Sequence, residues 1–265
     1  MSARDAATAA LDTAVAGIDT DATTAAEVFA VVDLLDGQPM LRRSLSDPSA
    51  TPENRAALAG RLFDGRVSAS TVAVIAEAVK AAWPGANALV SGLERLGVRI
   101  ALRASKAAGS LARVETELFS FSRTVDDNAE LAAALRSLAY PLEGKRELVG
   151  RLLTGRVDPV TAQLASRAVR ARRRTLPLTI GSYLKMAADM AGQKIARVTV
   201  ARHLDETQTA RLKAGLEAQV GAEVTLQIHV DPDVLGGISV SIDDDVYEST
   251  VAARLEDARR QLINL

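Results

Sequence analysis

The chain has 265 residues, no cysteine, 3% aromatic residues, and 25% charged side chains that nearly cancel to a formal charge of -1. That length allows two or three small domains with sizeable cores. The charge balance argues against a general nucleic-acid binder and the scarcity of rings against a base-stacking platform, while the lack of thiols excludes disulfides, thiolate zinc sites and cysteine nucleophiles. No apolar run approaches the roughly eighteen residues of a membrane span. The N-terminal stretch MSARDAATAALDTAVAG is interrupted by Asp5 and Asp12, unlike the apolar core of a signal peptide. A soluble, intracellular chain is expected, meeting a membrane only through partners.

Along the first ninety residues the apolar period is helical. Ala25, Val28, Phe29, Val32 and Leu35 recur at steps of three and four. Thr51-Pro52 then places a capping residue before a proline suited to the first helical turn, which predicts a helix running to Phe63. The phrase GRLFDGRVSAST, residues 60–71, follows. Gly65 sits just past that helix, where a left-handed residue is wanted, and Ser68 is a good N-cap. The next helix is expected to carry Val72, Ile75, Ala76 and Val79 on one face. Trp83-Pro84-Gly85 marks a boundary, and Leu89, Leu93, Leu96 and Ile100 predict a linking helix after it.

Ninety residues on, the chain repeats itself. From Glu27–Ala81 against Glu117–Ala171, without a gap, 17 of 55 pairs are identical, where so Ala- and Leu-rich a composition gives roughly five by chance. The pairs include Glu27/Glu117, Phe29/Phe119, Leu41/Leu131, Leu45/Leu135 and Leu58/Leu148, and Arg55/Lys145 is conservative. Leu111, Val114, Leu118, Phe121 and Val125 form one apolar helical stripe. GRLLTGRVDPVT, residues 150–161, repeats the joint with Gly155 as the stop and Asp158-Pro159 as cap and first turn. Two copies are too few for a solenoid and predict tandem helical bundles. A second reading gives Arg66 and Arg156 an anion at the following helix N-terminus. Against it, the chain contains neither GxxxxGK[ST] nor GxGxxG. The second copy ends in RAVRARRRTLP, residues 167–177. The stretch reads as a solvated helix end complementing the dipole, or as a contact for an acidic partner or nucleic acid through Arg167–Arg174. The absence of interleaved aromatics favours the first. Ile180, Tyr183, Ala187 and Met190 predict one more amphipathic helix.

From Ile195 the period changes to two. Ala196, Val198 and Val200 alternate as in a half-buried strand. Asp205 with Gln208 forms a capping-box pattern before a helix carrying Leu212 and Leu216, and Gly221 stops that helix. Val224, Leu226, Ile228 and Val230 alternate again. DPDVLGG turns the chain, ISVSI alternates, and DDDV is expected to turn it once more. A last helix is predicted with Val251, Leu255, Ala258 and Leu262 on one face. These elements make a small α+β module. Asp243, Asp244 and Asp245 lack the spacing of a calcium loop and suit an acidic hairpin turn. His203 and His229, the only histidines, lie in no catalytic motif. The fold class expected is therefore mainly α with a small α+β C-terminal module: two tandem helical bundles, 1–86 and 87–192, then a short-stranded domain, 193–265. No catalytic constellation, metal site or cofactor loop emerges.

The C-terminal run KIARVTVARHLDETQTARLKAGLEAQVGAEVTLQIHVDPDVLGGISVSIDDDVYESTVAARLEDARRQL resembles the delta subunit of F-type ATP synthases, the family called OSCP in mitochondria. Val230-Asp231-Pro232, Leu235-Gly236-Gly237, Ser249 and Arg254-Leu255 fit its "VDP…(L/I)GG" strand, hairpin and closing helix in order. ETELFSFSRTVDDNAELAAAL and GKRELVGRLLTGRVDPVT, with Gly155 and Arg156, look like its N-terminal helical bundle. Where that family carries Tyr-Ala-x-Ala-Leu in its first helix, this chain has RIALRASKAAGSL. The usual member has one bundle, so this chain looks like a long form with an additional N-terminal copy, a form associated with actinobacteria. The resemblance implies a non-catalytic stator subunit on the cytoplasmic face of the cell membrane, with no cofactor. Its implied partners are N-terminal helices of alpha subunits, held by the bundle, and the far end of a b-type stalk, held by the C-terminal domain. No nucleic acid is implied, and contact with the membrane is only through partners. A groove accepting an amphipathic helix is a common recognition mode. Leu118, Ala165 and Val169 are candidate contacts for such a helix, with packing inside the bundle as the other reading.

Overall fold

A computed structural model describes residues 3–137, 139–170, 175–192, 194–221, 223–231, 238–242 and 245–248. Among them are twelve α-helices and one four-stranded sheet. The expected class, mainly α with a small α+β module, is the one observed. The chain divides into two compact units, Met1–Tyr183 and Leu184–Leu265.

The first unit contains α1 (Ala3–Val15), α2 (Ala22–Gly37), α3 (Pro39–Leu45), α4 (Pro52–Phe63), α5 (Ala69–Lys80), α6 (Ala86–Ala107), α7 (Leu111–Asp127), α8 (Ala129–Arg136), α9 (Leu142–Leu153) and α10 (Pro159–Ala168). The division between units falls within α11 (Leu176–Ala191). The 90-residue offset survives in space: α3, α4 and α5 begin ninety residues before α8, α9 and α10. Local chemistry explains the starts. Asp21 caps α2 in a reciprocal box with Thr24, Thr51 caps α4 ahead of Pro52, and Ser68 caps α5. Asn128 and Asp158 cap α8 and α10. Gly65 and Gly155 stop the fourth helix of each copy at φ 69° and 75°, where a side chain would be strained.

The expected face of α5 is rotated. Thr71, Val74, Ile75, Ala78 and Val79 are buried, while Val72 and Ala76 are only half-buried. The sequence reading passed over Thr71, Val74 and Ala78, since two valines, Val72 and Val74, lie on different faces of the helix and only the packing selects between them. Arg55 is buried and ties α4 to the end of α5. Its Nε donates to the Val79 carbonyl at 2.7 Å and its Nη2 to that of Lys80 at 2.9 Å. Its Nη1 donates to the carbonyls of Asp47 and Ala50. Lys145, its counterpart, has one ammonium and no such fork.

The long α6 is buried over far more than one stripe. Besides the expected Leu89, Leu93, Leu96 and Ile100, the residues Val90, Val98, Ala101 and Leu102 are buried. It contacts α1, α2, α3 and α5 of the first copy and α7 and α10 of the second. A helix apolar around most of its circumference belongs inside a core. Asp12 of α1 bonds Arg95 at 2.7 and 2.9 Å and also pairs with Arg99. Gly97 lets α2 come close: a Cβ there would lie 2.6 Å from the Phe29 ring.

In the second unit the sheet comprises β1 (Lys194–Val200), β2 (Val224–Val230), β3 (Ile238–Ile242) and β4 (Asp245–Glu248), with α12 (Glu206–Val220) between β1 and β2. The strand order is β2-β1-β3-β4. β1 pairs in parallel with β2, so α12 is the crossover a parallel pair requires. The β1/β3 and β3/β4 pairs are antiparallel. Ala196, Val198 and Val200 of central β1 join Leu216, Val224, Val240 and Ile242 in one buried cluster. The expected box at α12 is present, with Gln208 N donating to Asp205 Oδ1 at 2.7 Å and Asp205 N to Gln208 Oε1 at 3.1 Å. DDDV lies at the expected hairpin, since β3 and β4 pair with Ile242 opposite Asp245, but the turn is shorter than read because Asp245 and Val246 already belong to β4. The acidic run concealed the short strand former Val246-Tyr247. The predicted last helix lies outside the described residues.

Helical glycines differ sharply in what surrounds them. Gly97→Ala is expected to lower stability by about 1–3 kcal/mol through overpacking against Phe29. Gly60→Ala, which meets nothing within 4 Å, should raise stability by about 0.5–1 kcal/mol. Urea unfolding of the two variants checks both signs.

Candidate functional site

The repeated joint is built around a carboxylate from the preceding long helix. In the first copy Glu27 Oε2 accepts from Ser68 N at 2.9 Å, Ser68 Oγ at 2.6 Å and Thr71 Oγ1 at 2.6 Å. In the second, Glu117 Oε2 accepts from Asp158 N at 2.8 Å and Thr161 Oγ1 at 2.7 Å. A helix N-terminus carries unsatisfied N–H donors and partial positive charge, so a carboxylate from α2 or α7 fixes the start of α5 or α10. The copies differ in a compensated way. Asp158 replaces the neutral Ser68 and brings a second negative charge beside Glu117. At the same time Arg113 stands where the first copy has Thr23, and its Nε donates to Glu117 Oε1 at 2.7 Å. The hydroxyls of Ser68 and Thr71 and the Ser68 N–H hold the Glu27 carboxyl below the usual range. Burial pushes Glu117 upward, but its bonds from Arg113, Thr161 and Asp158 outweigh that and leave it low.

A second polar cluster joins the copies. Arg167 of α10 has only 7% of its side chain exposed. Its Nε and Nη2 form a fork on the Glu94 carboxylate of α6 at 2.9 and 2.5 Å, and its Nη1 donates to Asp33 of α2 at 2.7 Å. Its guanidinium lies 4.8 Å from the centre of the Phe29 ring. Arg146 reaches Asp33 at 3.1 Å, and Arg170 reaches Asp36 at 2.6 Å. Burial opposes ionisation of Asp33, yet Arg167 and Arg146 hold its carboxyl below the usual range. Burial likewise works against the charge on Arg167, but Glu94 and Asp33 overcome it and raise its pKa. This corrects the reading of residues 167–177 as a solvated helix end: Arg167 and Arg170 are committed to internal carboxylates. Residues 171–174 lie outside the described residues. The sequence held a signal for the cluster, since Phe29, Asp33 and Asp36 share one face of α2 at steps of four and three.

The other expected positions are dispersed. Gly155 is the α9 stop, Arg156 beside it is exposed, and Arg66 is exposed at the equivalent place. Asp231 follows β2, its N–H donating to the Val200 carbonyl at 2.8 Å. Pro232, Leu235, Gly236, Gly237, Arg254, Leu255, Asp243 and Asp244 lie outside the described residues. Leu118 and Ala165 are wholly buried and Val169 nearly so. In the isolated chain these three pack inside the helical unit. Both histidines are exposed. Among the described residues no group of acidic or histidine side chains is arranged to hold a metal, and no helix is long and apolar enough to cross a membrane.

The profile of the family described as ATP synthase delta (OSCP) subunit matches residues 101–262. A protein named ATP synthase subunit delta from Parafrankia sp. (strain EAN1pec) is 41% identical over 239 residues, covering 90% of this chain and 86% of the relative. One of the same name from Nocardia farcinica is 40% identical over 254 residues, covering 96% and 94%. A chain in a structure of the Toxoplasma gondii mitochondrial ATP synthase hexamer aligns with TM-score 0.41 at 22% identity over 63% of this chain and 95% of its own, too loosely to fix residue correspondences.

The Glu27 joint generates a pH dependence of definite sign. Its lowered carboxyl contributes stability near neutrality that is lost as the pH falls through its folded-state value. Glu27→Gln should therefore unfold more easily at pH 7 by about 1–2 kcal/mol, with the difference from the parent shrinking in acid. Urea titrations at pH 7 and below the carboxylate range measure both.

Proposed function

The chain belongs to the ATP synthase delta (OSCP) family, and we infer from that membership that it is a non-catalytic stator subunit of an F-type ATP synthase. In this role it links the catalytic alpha/beta headpiece to the membrane-anchored b stalk, so that the headpiece does not turn with the rotor during proton-driven ATP synthesis. The observation carrying this reading is the extent of the likeness: about 40% identity across 90% or more of the chain takes in the helical copies and the α+β module together.

On this reading the helices of 87–192 hold N-terminal helices of alpha subunits, and 193–265 hold the far end of a b-type subunit. The additional copy, 1–86, lengthens the helical arm. The complex lies on the cytoplasmic face of the membrane, where this chain sits peripherally through its partners. An amphipathic helix laid into a groove of a helical unit is the recognition mode that supports the alpha contact. Because Leu118, Ala165 and Val169 are buried, a partner helix would reach them only by displacing a neighbour. Arg167 and Arg170 lend no support to a nucleic-acid role, since both are bonded to carboxylates within the chain.

Membranes stripped of this subunit are expected to release a headpiece that still hydrolyses ATP. They should lose proton-driven synthesis and regain it when the purified full chain is added back. Synthesis at the normal rate in its absence would contradict the role.

A further inference from the structure

The family match begins at residue 101, inside α6, yet the first copy packs along that helix on both sides of this point: Phe29 meets Gly97, and Arg103 donates to the Ile18 carbonyl. The apolar residues of α6 are thus covered from both sides of the repeat. Leu89, Leu93 and Leu96 are buried, as are Ile100 and Leu102. At the seam between copies three cations face three carboxylates. Arg167, Arg146 and Arg170 come from the second copy, Asp33 and Asp36 from the first, and Glu94 from the helix they share. Phe29 of the first copy lies under the Arg167 guanidinium and fills the notch at Gly97.

We propose that the two copies form one inseparable body, closed by a latch in which Arg167 of the second copy docks on the Phe29–Asp33 shelf of the first and on Glu94 of the shared helix. Neither copy is a detachable module. Without the first, the second would expose the α6 leucines and strip Arg167 of its Phe29 cover and its Asp33 partner. Within the folded chain, removing one partner of this buried charge is strongly destabilising, so a substitution on either side of the latch is felt by both copies. The additional copy then works as a rigid continuation of the arm, with no joint to bend under load. The coupling of the two copies concerns the chain alone, and only its use as an arm under load rests on the stator role.

The test uses the full chain with one probe in each copy. Trp83 is the only tryptophan, and its Nε1 donates to the Ala78 carbonyl at 2.7 Å, so its fluorescence reports the first copy. The chain has no cysteine, so a fluorophore on Thr154→Cys, exposed just past α9, reports the second. In urea the two probes should give one coincident transition. Arg167→Gln should move both midpoints together and lower the folded-to-unfolded ratio by more than about tenfold. Arg167→Lys keeps the charge without the fork and should move both by less. Asp33→Asn, in the first copy, should shift the Thr154 probe as far as Trp83. If Arg167→Gln does not fold, the Arg167→Lys and Asp33→Asn curves carry the comparison. Separate transitions in the parent would overturn the proposal, as would shifts confined to the copy that holds the substitution.

Discussion

The burial of α6 from nearly every side is the constraint on which the helical unit depends. A helix of 22 residues extends about 33 Å, long enough to meet both copies along its length: Arg103 near its end bonds the Ile18 carbonyl of the first copy, and Glu94 in its first half bonds Arg167 of the second. Because it is one unbroken helix, its ends cannot choose their directions independently. The placement of α2 and α5 against it therefore also sets the frame on which α7 and α10 pack. Gly97 and Phe29 show how tight the fit is, since the spot where α2 approaches has no room for a methyl group.

Polar groups then fix what apolar packing leaves free. Dispersion and hydrophobic burial are weakly directional, and helices can slide along an oily seam at little cost. A carboxylate that accepts from a helix N-terminus has one satisfactory position. Glu27 and Glu117 supply that restraint within each copy, and Asp33 and Glu94 supply it between copies through Arg167. The charged residues that looked like solvated surface in a chain of near-zero net charge include several that are structural. Such an arrangement suits a protein whose role is to hold its shape between partners.

Much of this was legible from periodicity. The α7 stripe, the Thr51-Pro52 start, the glycine stops and the Asp205–Gln208 box depend on neighbours in sequence, and local chemistry reports such features faithfully. What escaped depends on residues far apart. The Arg167–Asp33 contact spans 134 positions, and no local pattern distinguishes an arginine bound for a buried carboxylate from one bound for water. The rotation of α5 was missed because Val72 and Val74 offer two competing faces, and Thr71 is buried for the sake of Glu27 rather than for apolar area. β4 was missed because its first residue is the last of three aspartates. The family likeness was legible where its motifs are written out in residues 110–265. The place of the additional copy, built around a shared helix, required the fold.

Amide hydrogen exchange along α6 bears most directly on the claim that one helix unites the two copies. Amides from Leu89 to Leu102 should exchange through a single opening, with uniform protection along the helix. A step in protection within that stretch, with its parts opening at different free energies, would contradict it.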